Sequence, residues 1–138
     1  MGDDGIHAGD APDPVGKYPH ARRCGNLLFL SGIGPRQSGS DEIPGLVRDA
    51  QGSIVDYDIE AQCRAVFANV RSVLEEAGSG WDKLLDVTVF LTDIRRDFAK
   101  YNALWAEYFP GPAPCRTTVE ISRLPTPIAI ELKCIATV

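Results

Sequence analysis

Only two stretches of this chain repeat apolar residues at helical spacing, and its other apolar runs alternate at period two. Ile59, Cys63, Val66, Phe67, Val70, Val73, Leu74 and Ala77 recur at steps of three and four behind Asp58, a capping side chain, with Gly78 as the stop. A second helix is expected from about Asp97 to Phe109, with Phe98, Tyr101, Trp105 and Tyr108 or Phe109 as its stripe and Pro110-Gly111 ending it. The strand-like runs are a hairpin turning at Gly25-Asn26 into Leu27–Ser31, a central strand Leu84–Leu91, and a final pair, Arg116–Ile121 and Ile128–Ala136. The order β-β-α-β-α-β-β predicts an α+β domain with a mixed sheet and both helices packed on one face. Two helices leave the other face of such a sheet to meet water or another subunit.

At 138 residues the chain has the size of one domain, expected over 17–138. Residues 1–16 are rich in Gly, Asp and Pro and are expected to form a disordered or loosely packed tail. The stretch "GPRQSGSDEIPGLVRDAQGS" reads as a long loop with one short strand around Leu46 and Val47, and loops of that length are often functional.

Charge and composition narrow the function. Nineteen acidic against fourteen basic residues give a net charge of -5, which opposes capture of a nucleic-acid backbone. A local cluster of Lys17, His20, Arg22 and Arg23 still suits a small anion. Cys24, Cys63, Cys115 and Cys134 form no C-x-x-C pair and there are two histidines, so no metal site and no thiol-based catalysis are expected. The opening has no basic, apolar leader pattern and no run approaches the ~18 apolar residues of a membrane span, so a cytoplasmic protein with reduced thiols is expected.

The terminal strands carry a lone arginine and a lone glutamate. In the last strand Ile128, Ile130, Leu132 and Cys134 point one way, and Ala129, Glu131, Lys133 and Ile135 the other. In the strand before it, Thr117, Val119 and Ile121 alternate with Arg116, Thr118 and Glu120. If the fuller apolar sets pack under the helices, Arg116 and Glu131 both emerge on the bare face. One reading is an ordinary solvated sheet face. The other is that the face closes against neighbouring subunits and the charges line a pocket at the seam, retained for a task because buried charges seldom add stability.

The tail "CRTTVEISRLPTPIAIELKCIA" resembles the signature of the RidA/YjgF/UK114 family: an arginine after a Pro-x motif, a V-x-x-x-x-L-P segment, and a glutamate in the last strand. "GNLLFLSGIGP", "FANVRSVLEEAG" and "FAKYNALWAEYFPGPAPCR" are similar to other segments of that family, so the resemblance spans about Val15 to Val138. The stretches "GKYPHARR" and "LSGIGPRQSGSDEIPG" look more like its 2-aminomuconate deaminase branch than like the general enamine/imine deaminases.

The resemblance implies a chorismate-mutase-like fold forming a homotrimer, with active sites between subunits. It implies cofactor-independent hydrolytic deamination of 2-aminomuconate, an enamine/imine dicarboxylate, to 2-oxo-3-hexenedioate (4-oxalocrotonate) and ammonia in aromatic-compound catabolism. Carried over, Arg116 matches the arginine that holds the substrate carboxylate and Glu131 the acid that positions or activates water. Tyr18, Ser31 and Asn102 match pocket residues, and Thr118 stands where many relatives have cysteine. On the residues alone, Ser31 serves equally well as a backbone-satisfying group at a strand end, and Asn102 as a surface polar residue. For the second carboxylate of such a substrate, His20 or Arg22, on the same extended face as Tyr18, is a candidate partner; the other reading of both is as surface charges on an edge strand. The alternatives are a general deaminase of 2-aminoacrylate-type enamines and imines, or a small-ligand-binding trimer without turnover.

Overall fold

The computed structural model describes residues 5–138. Among the described residues, seven strands and two α-helices follow in order: β1 (Ala21–Cys24), β2 (Leu27–Leu30), β3 (Leu46–Arg48), β4 (Ile54–Tyr57), α1 (Ile59–Glu76), β5 (Leu84–Leu91), α2 (Ile94–Tyr108), β6 (Cys115–Glu120) and β7 (Ile130–Thr137). A single 3-10 turn, Trp81–Lys83, leads into β5. The main sheet runs β1-β2-β7-β5-β6. It is mixed: β5 and β6 are parallel, with α2 as the crossover between them, and every other pair is antiparallel. None of the helices formed by the described residues is long and apolar enough to cross a membrane.

Helix α1 starts and stops where its sequence says. The Asp58 carboxylate accepts from the Glu60 and Ala61 amides at 2.9 and 3.4 Å, and Gly78 takes the left-handed conformation (φ 81°) past the last turn. Helix α2 begins earlier than its apolar spacing implies, because Asp93 caps it by accepting from the Arg96 amide at 3.1 Å. The core lies between these helices and one face of the sheet. Val66, Phe67, Val70, Val73 and Leu74 of α1 meet Leu28, Leu30, Val87, Val89, Leu91, Leu132 and Cys134, all of them buried.

The long loop contains more structure than expected. β3 and β4 form a separate two-stranded sheet, and β4 was legible only as the β-branched pair Ile54-Val55 after a Gly52 turn. This ribbon is fastened to α2: the Tyr57 hydroxyl donates to Asp97 Oδ2 at 2.5 Å, and Arg96 pairs with Asp56 at 2.7 Å.

The expected tail is corrected over its described part. Residues 5–16 lie against β1, where the Ile6 amide donates to the Ala21 carbonyl at 2.7 Å and Ala8 and Ala11 are each 3% exposed. The clamp is His20, buried beneath the segment: its Nδ1 accepts from the Ala8 amide at 2.8 Å, which leaves Nε2 to donate to the Pro12 carbonyl at 2.7 Å. Small residues suffice there because the segment covers a sheet edge and contributes backbone hydrogen bonds, which composition does not reveal.

The faces of the sheet are not those expected for Arg116. Parallel pairing places Arg116 beside Val87, Thr118 beside Val89 and Glu120 beside Leu91, and those three partners are buried under the helices. Arg116 therefore lies on the helix-covered face. β6 is the edge strand, and α2 covers that edge with aromatic rings that accept a guanidinium, so the weaker apolar set Thr117 and Val119 is left on the other side. Glu131 pairs with Phe90 and does lie on the face without helices. That face also shows Leu27 and Phe29, each 38% exposed.

Candidate active site

Two separate polar constellations result, one on each side of the sheet. The first is built by α2 and β6. The Arg116 Cζ lies 5.0 Å from the Tyr101 ring centre, 5.1 Å from that of Trp105 and 5.9 Å from that of Phe98. Its Nη1 is buried and has no hydrogen-bond partner among the described residues. The Tyr101 hydroxyl and the Thr118 hydroxyl are hydrogen-bonded at 2.9 Å. Burial pushes the Tyr101 phenol above its usual range, against the opposing pull of the Thr118 hydrogen bond and the Arg116 charge. Asn102 is exposed on α2, four residues after Phe98 and three before Trp105, hence at the rim of the same group.

The second constellation is a cleft of about 130 Å³ at the end of β2, lined by Tyr18, His20, Ser31, Gly32, Arg36, Thr126 and Glu131 among others. Its floor is set by Ile33, whose amide and carbonyl both bond to Leu132 of β7 at 2.8 and 2.9 Å, which brings Gly32 up against Glu131. A Cβ at Gly32 would lie 2.5 Å from Glu131 Oε2, so glycine leaves the carboxylate room to occupy its present position. Burial pushes the Glu131 carboxyl above the usual glutamate range, and no ion pair or hydrogen bond to its side chain offsets this among the described residues. The Ser31 hydroxyl donates to the Pro19 carbonyl at 2.8 Å and keeps its lone pairs for a ligand. The Tyr18 hydroxyl accepts from the Val15 amide at 3.3 Å.

The structure thus brings Tyr18, Ser31 and Glu131 together, and Arg116, Thr118 and Asn102 together, on opposite sides of one sheet. His20 borders the cleft, but both its ring nitrogens are engaged by backbone groups, so its expected role toward a distal carboxylate is withdrawn in favour of the clamp described above. Arg22 of β1 pairs with Phe29 of β2 and lines a shallow groove with Arg23, Cys24 and Phe29, outside the lining of the Glu131 cleft. The residues that sequence reasoning passed over are Gly32, the aromatic surround of Arg116, and Arg36. "LSG" and the helix stripe held signals for the first two; Arg36, in a loop without periodicity, carried none. Among the described residues no group of His, Cys, Asp and Glu is arranged to hold a metal ion.

With this geometry in hand, comparison with known proteins gives one consistent answer. The family model described as Endoribonuclease L-PSP matches residues 8–138. A RutC family protein of Pyrococcus horikoshii, PH0854, is 40% identical over 131 residues, covering 95% of this chain and 94% of that protein. The chloroplastic Reactive Intermediate Deaminase A of Arabidopsis thaliana is 34% identical over 127 residues, covering 92% of this chain and 62% of that protein. The crystal structure of Escherichia coli TdcF with bound serine superposes with a TM-score of 0.84 at 28% identity, covering 99% of both chains. Sequence and fold agree along essentially the whole chain, which belongs to the RidA/YjgF/L-PSP family.

Proposed function

We propose that this protein is a cofactor-independent hydrolase that deaminates 2-aminomuconate to 2-oxo-3-hexenedioate (4-oxalocrotonate) and ammonia in the breakdown of aromatic compounds, acting as a homotrimer with sites between subunits. The observation that carries the reading is Arg116, a half-buried residue whose Nη1 is buried without an acceptor, a costly state for a charged donor. A carboxylate seated against Arg116 supplies that acceptor through a two-pronged contact. The sheet separates Arg116 from Glu131 within one protomer. In the proposed trimer a neighbour covers the bare face, where Leu27 and Phe29 stand exposed, and each Glu131 cleft meets the edge strand β6 of an adjoining copy. A cleft of about 130 Å³ is smaller than the roughly 300 Å³ at which ordinary ligand pockets begin, as expected of half a site.

The chemistry needs few groups. The enamine takes a proton on carbon and becomes an iminium; Arg116 grips the adjacent carboxylate and fixes the electrophilic carbon. Glu131 accepts a proton from water as its oxygen bonds to that carbon, and its elevated pKa makes it a stronger base than an ordinary glutamate. Glu131 returns its proton to the carbinolamine nitrogen, the C–N bond breaks as ammonia leaves, and loss of the hydroxyl proton gives the 2-oxo acid and replaces the proton taken up on carbon. Ser31, Tyr18 and Thr118 offer hydroxyls, and Asn102 an amide, to orient the substrate.

A second reading is a general deaminase of monocarboxylate enamines and imines such as 2-aminoacrylate. It is favoured by the similarity to Reactive Intermediate Deaminase A and by the serine bound in TdcF. Ammonia release from 2-aminomuconate and from 2-aminoacrylate, each measured above its spontaneous rate and paired with sedimentation of the enzyme, separates the two. Faster turnover of the dicarboxylate by a trimer is expected. A monomer, or turnover undiminished in Glu131→Gln, ends the proposal; ligand binding without ammonia release identifies a binding protein instead.

A further inference from the structure

The Glu131 cleft contains a cation that the deamination steps leave unused. Arg36 lies in its wall, in a loop held firmly in place: Asn69 Nδ2 of α1 donates to the carbonyls of Gly34 and Arg36 at 2.9 and 2.8 Å. The side chain is 17% exposed, and its Nη2 donates to the Asp13 carbonyl at 2.5 Å. Its ion pair among the described residues is with Asp41, at 3.9 Å and with a fully exposed side chain, a setting in which water screens most of the attraction, and Asp13, which meets Arg36 through its main-chain carbonyl, also lines the cleft. No ion pair joins Arg36 to Glu131, although both line one cleft.

A guanidinium carries five N–H donors in a planar fork. One main-chain acceptor and a loose, solvated aspartate leave most of that fork unused in a largely enclosed position. Such a group favours an anion that can approach it edge-on with two oxygens. The cleft therefore presents a base at Glu131 and, separately, a seat for a carboxylate at Arg36. Since Arg116 already accounts for the carboxylate next to the reacting carbon, the seat at Arg36 is for a different one.

We propose that Arg36 binds the distal carboxylate of a dicarboxylate substrate and so sets the selectivity of the site for dicarboxylates over monocarboxylates of the same length. This rests on the deamination reading for the identity of the substrate but not for the existence of the anion seat. It assigns to Arg36 the role expected of His20 or Arg22, one of which is spent on the N-terminal segment while the other faces a different groove.

The test compares two unreactive six-carbon diene acids, cis,cis-muconate with two carboxylates and 2,4-hexadienoate with one, by calorimetry on the full chain. The unmodified protein should prefer muconate. Arg36→Gln should weaken muconate about tenfold to a hundredfold, the usual worth of a charge-assisted contact, and 2,4-hexadienoate by less than about threefold. Arg36→Lys keeps the charge without the fork and should fall between; it also serves if the glutamine variant does not fold. Equal weakening of both acids, as a structural role in holding Asp13 would give, overturns the assignment, and so does an unmodified protein without preference for muconate. If muconate binds in an Arg36-dependent way while 2-aminomuconate releases no ammonia, the anion seat stands and the deamination reading alone fails.

Discussion

Gly32 lies directly beneath the carboxylate of Glu131, so close that a methyl group at position 32 would meet Oε2 at 2.5 Å. The Ile33–Leu132 backbone pair fixes the two main-chain segments, so an added methyl group would have to be accommodated by the Glu131 side chain. Gly32→Ala should displace the carboxylate and lower kcat for ammonia release about a hundredfold, in line with the cost of an ångström-scale misplacement of a catalytic group. Thermal unfolding of the same variant should show a small change, since Gly32 is exposed. Unaltered kcat in Gly32→Ala would remove Glu131 from the mechanism.

Glu131 also sets a pH profile. Burial raises its pKa above the ordinary glutamate value of 4.5, and its proposed role requires the ionised form. Activity should therefore fall as pH drops through the raised value, with the acid limb of kcat/KM displaced upward from 4.5. In Glu131→Gln the residual rate should lose that limb. Persistence of the same acid limb in the glutamine variant would assign the titration to another group.

Arg116 presents function and stability in opposition. Replacing it with methionine removes a buried unsatisfied nitrogen while keeping an apolar side chain among Phe98, Tyr101 and Trp105. Arg116→Met is expected to unfold at the same temperature as the parent or a higher one, and to lose about a hundredfold or more in kcat/KM. A variant that is both active and unchanged in stability would show that the guanidinium has no ligand to hold.

Asp97 links stability to pH through the β3–β4 ribbon. Its carboxyl is buried, accepts from Tyr57, and has Oδ1 without a hydrogen bond; burial raises its pKa above 3.8, despite the Tyr57 contact and the Arg96 charge acting the other way. A folded-state pKa above the unfolded one means that the stabilisation is complete below 3.8 and is lost as pH rises through the elevated value. Urea midpoints measured from acid to neutral pH should decline more steeply in the parent than in Asp97→Asn. Parallel curves would show that Asp97 titrates normally in the fold.

Much of this fold was legible because its signals were local and periodic. The Asp58 cap, the α1 stripe and the β5 alternation each state their own structure, and all three stand where the spacing put them. What escaped was decided between elements. Nothing within "CRTTVE" says which side faces the helices; that depends on its pairing with Val87 and on α2 offering rings there. The packing of residues 5–16 depends on two backbone groups finding the His20 ring, and composition is silent on that. The site residues matched by resemblance were found in two clusters, and the sequence had no means of showing that a sheet runs between them.

If the proposed assembly holds, the Arg116 and Glu131 sides of that sheet are like the two halves of a torn ticket, each useless to its own holder. On the proposed assembly, a chain lacking only the guanidinium and a chain lacking only the carboxylate are both dead in isolation, yet mingling them in equal amounts regenerates about a quarter of the seams with one intact half from each donor. Catalytic competence then becomes a property of the population of chains, and dilution alone is enough to switch it off.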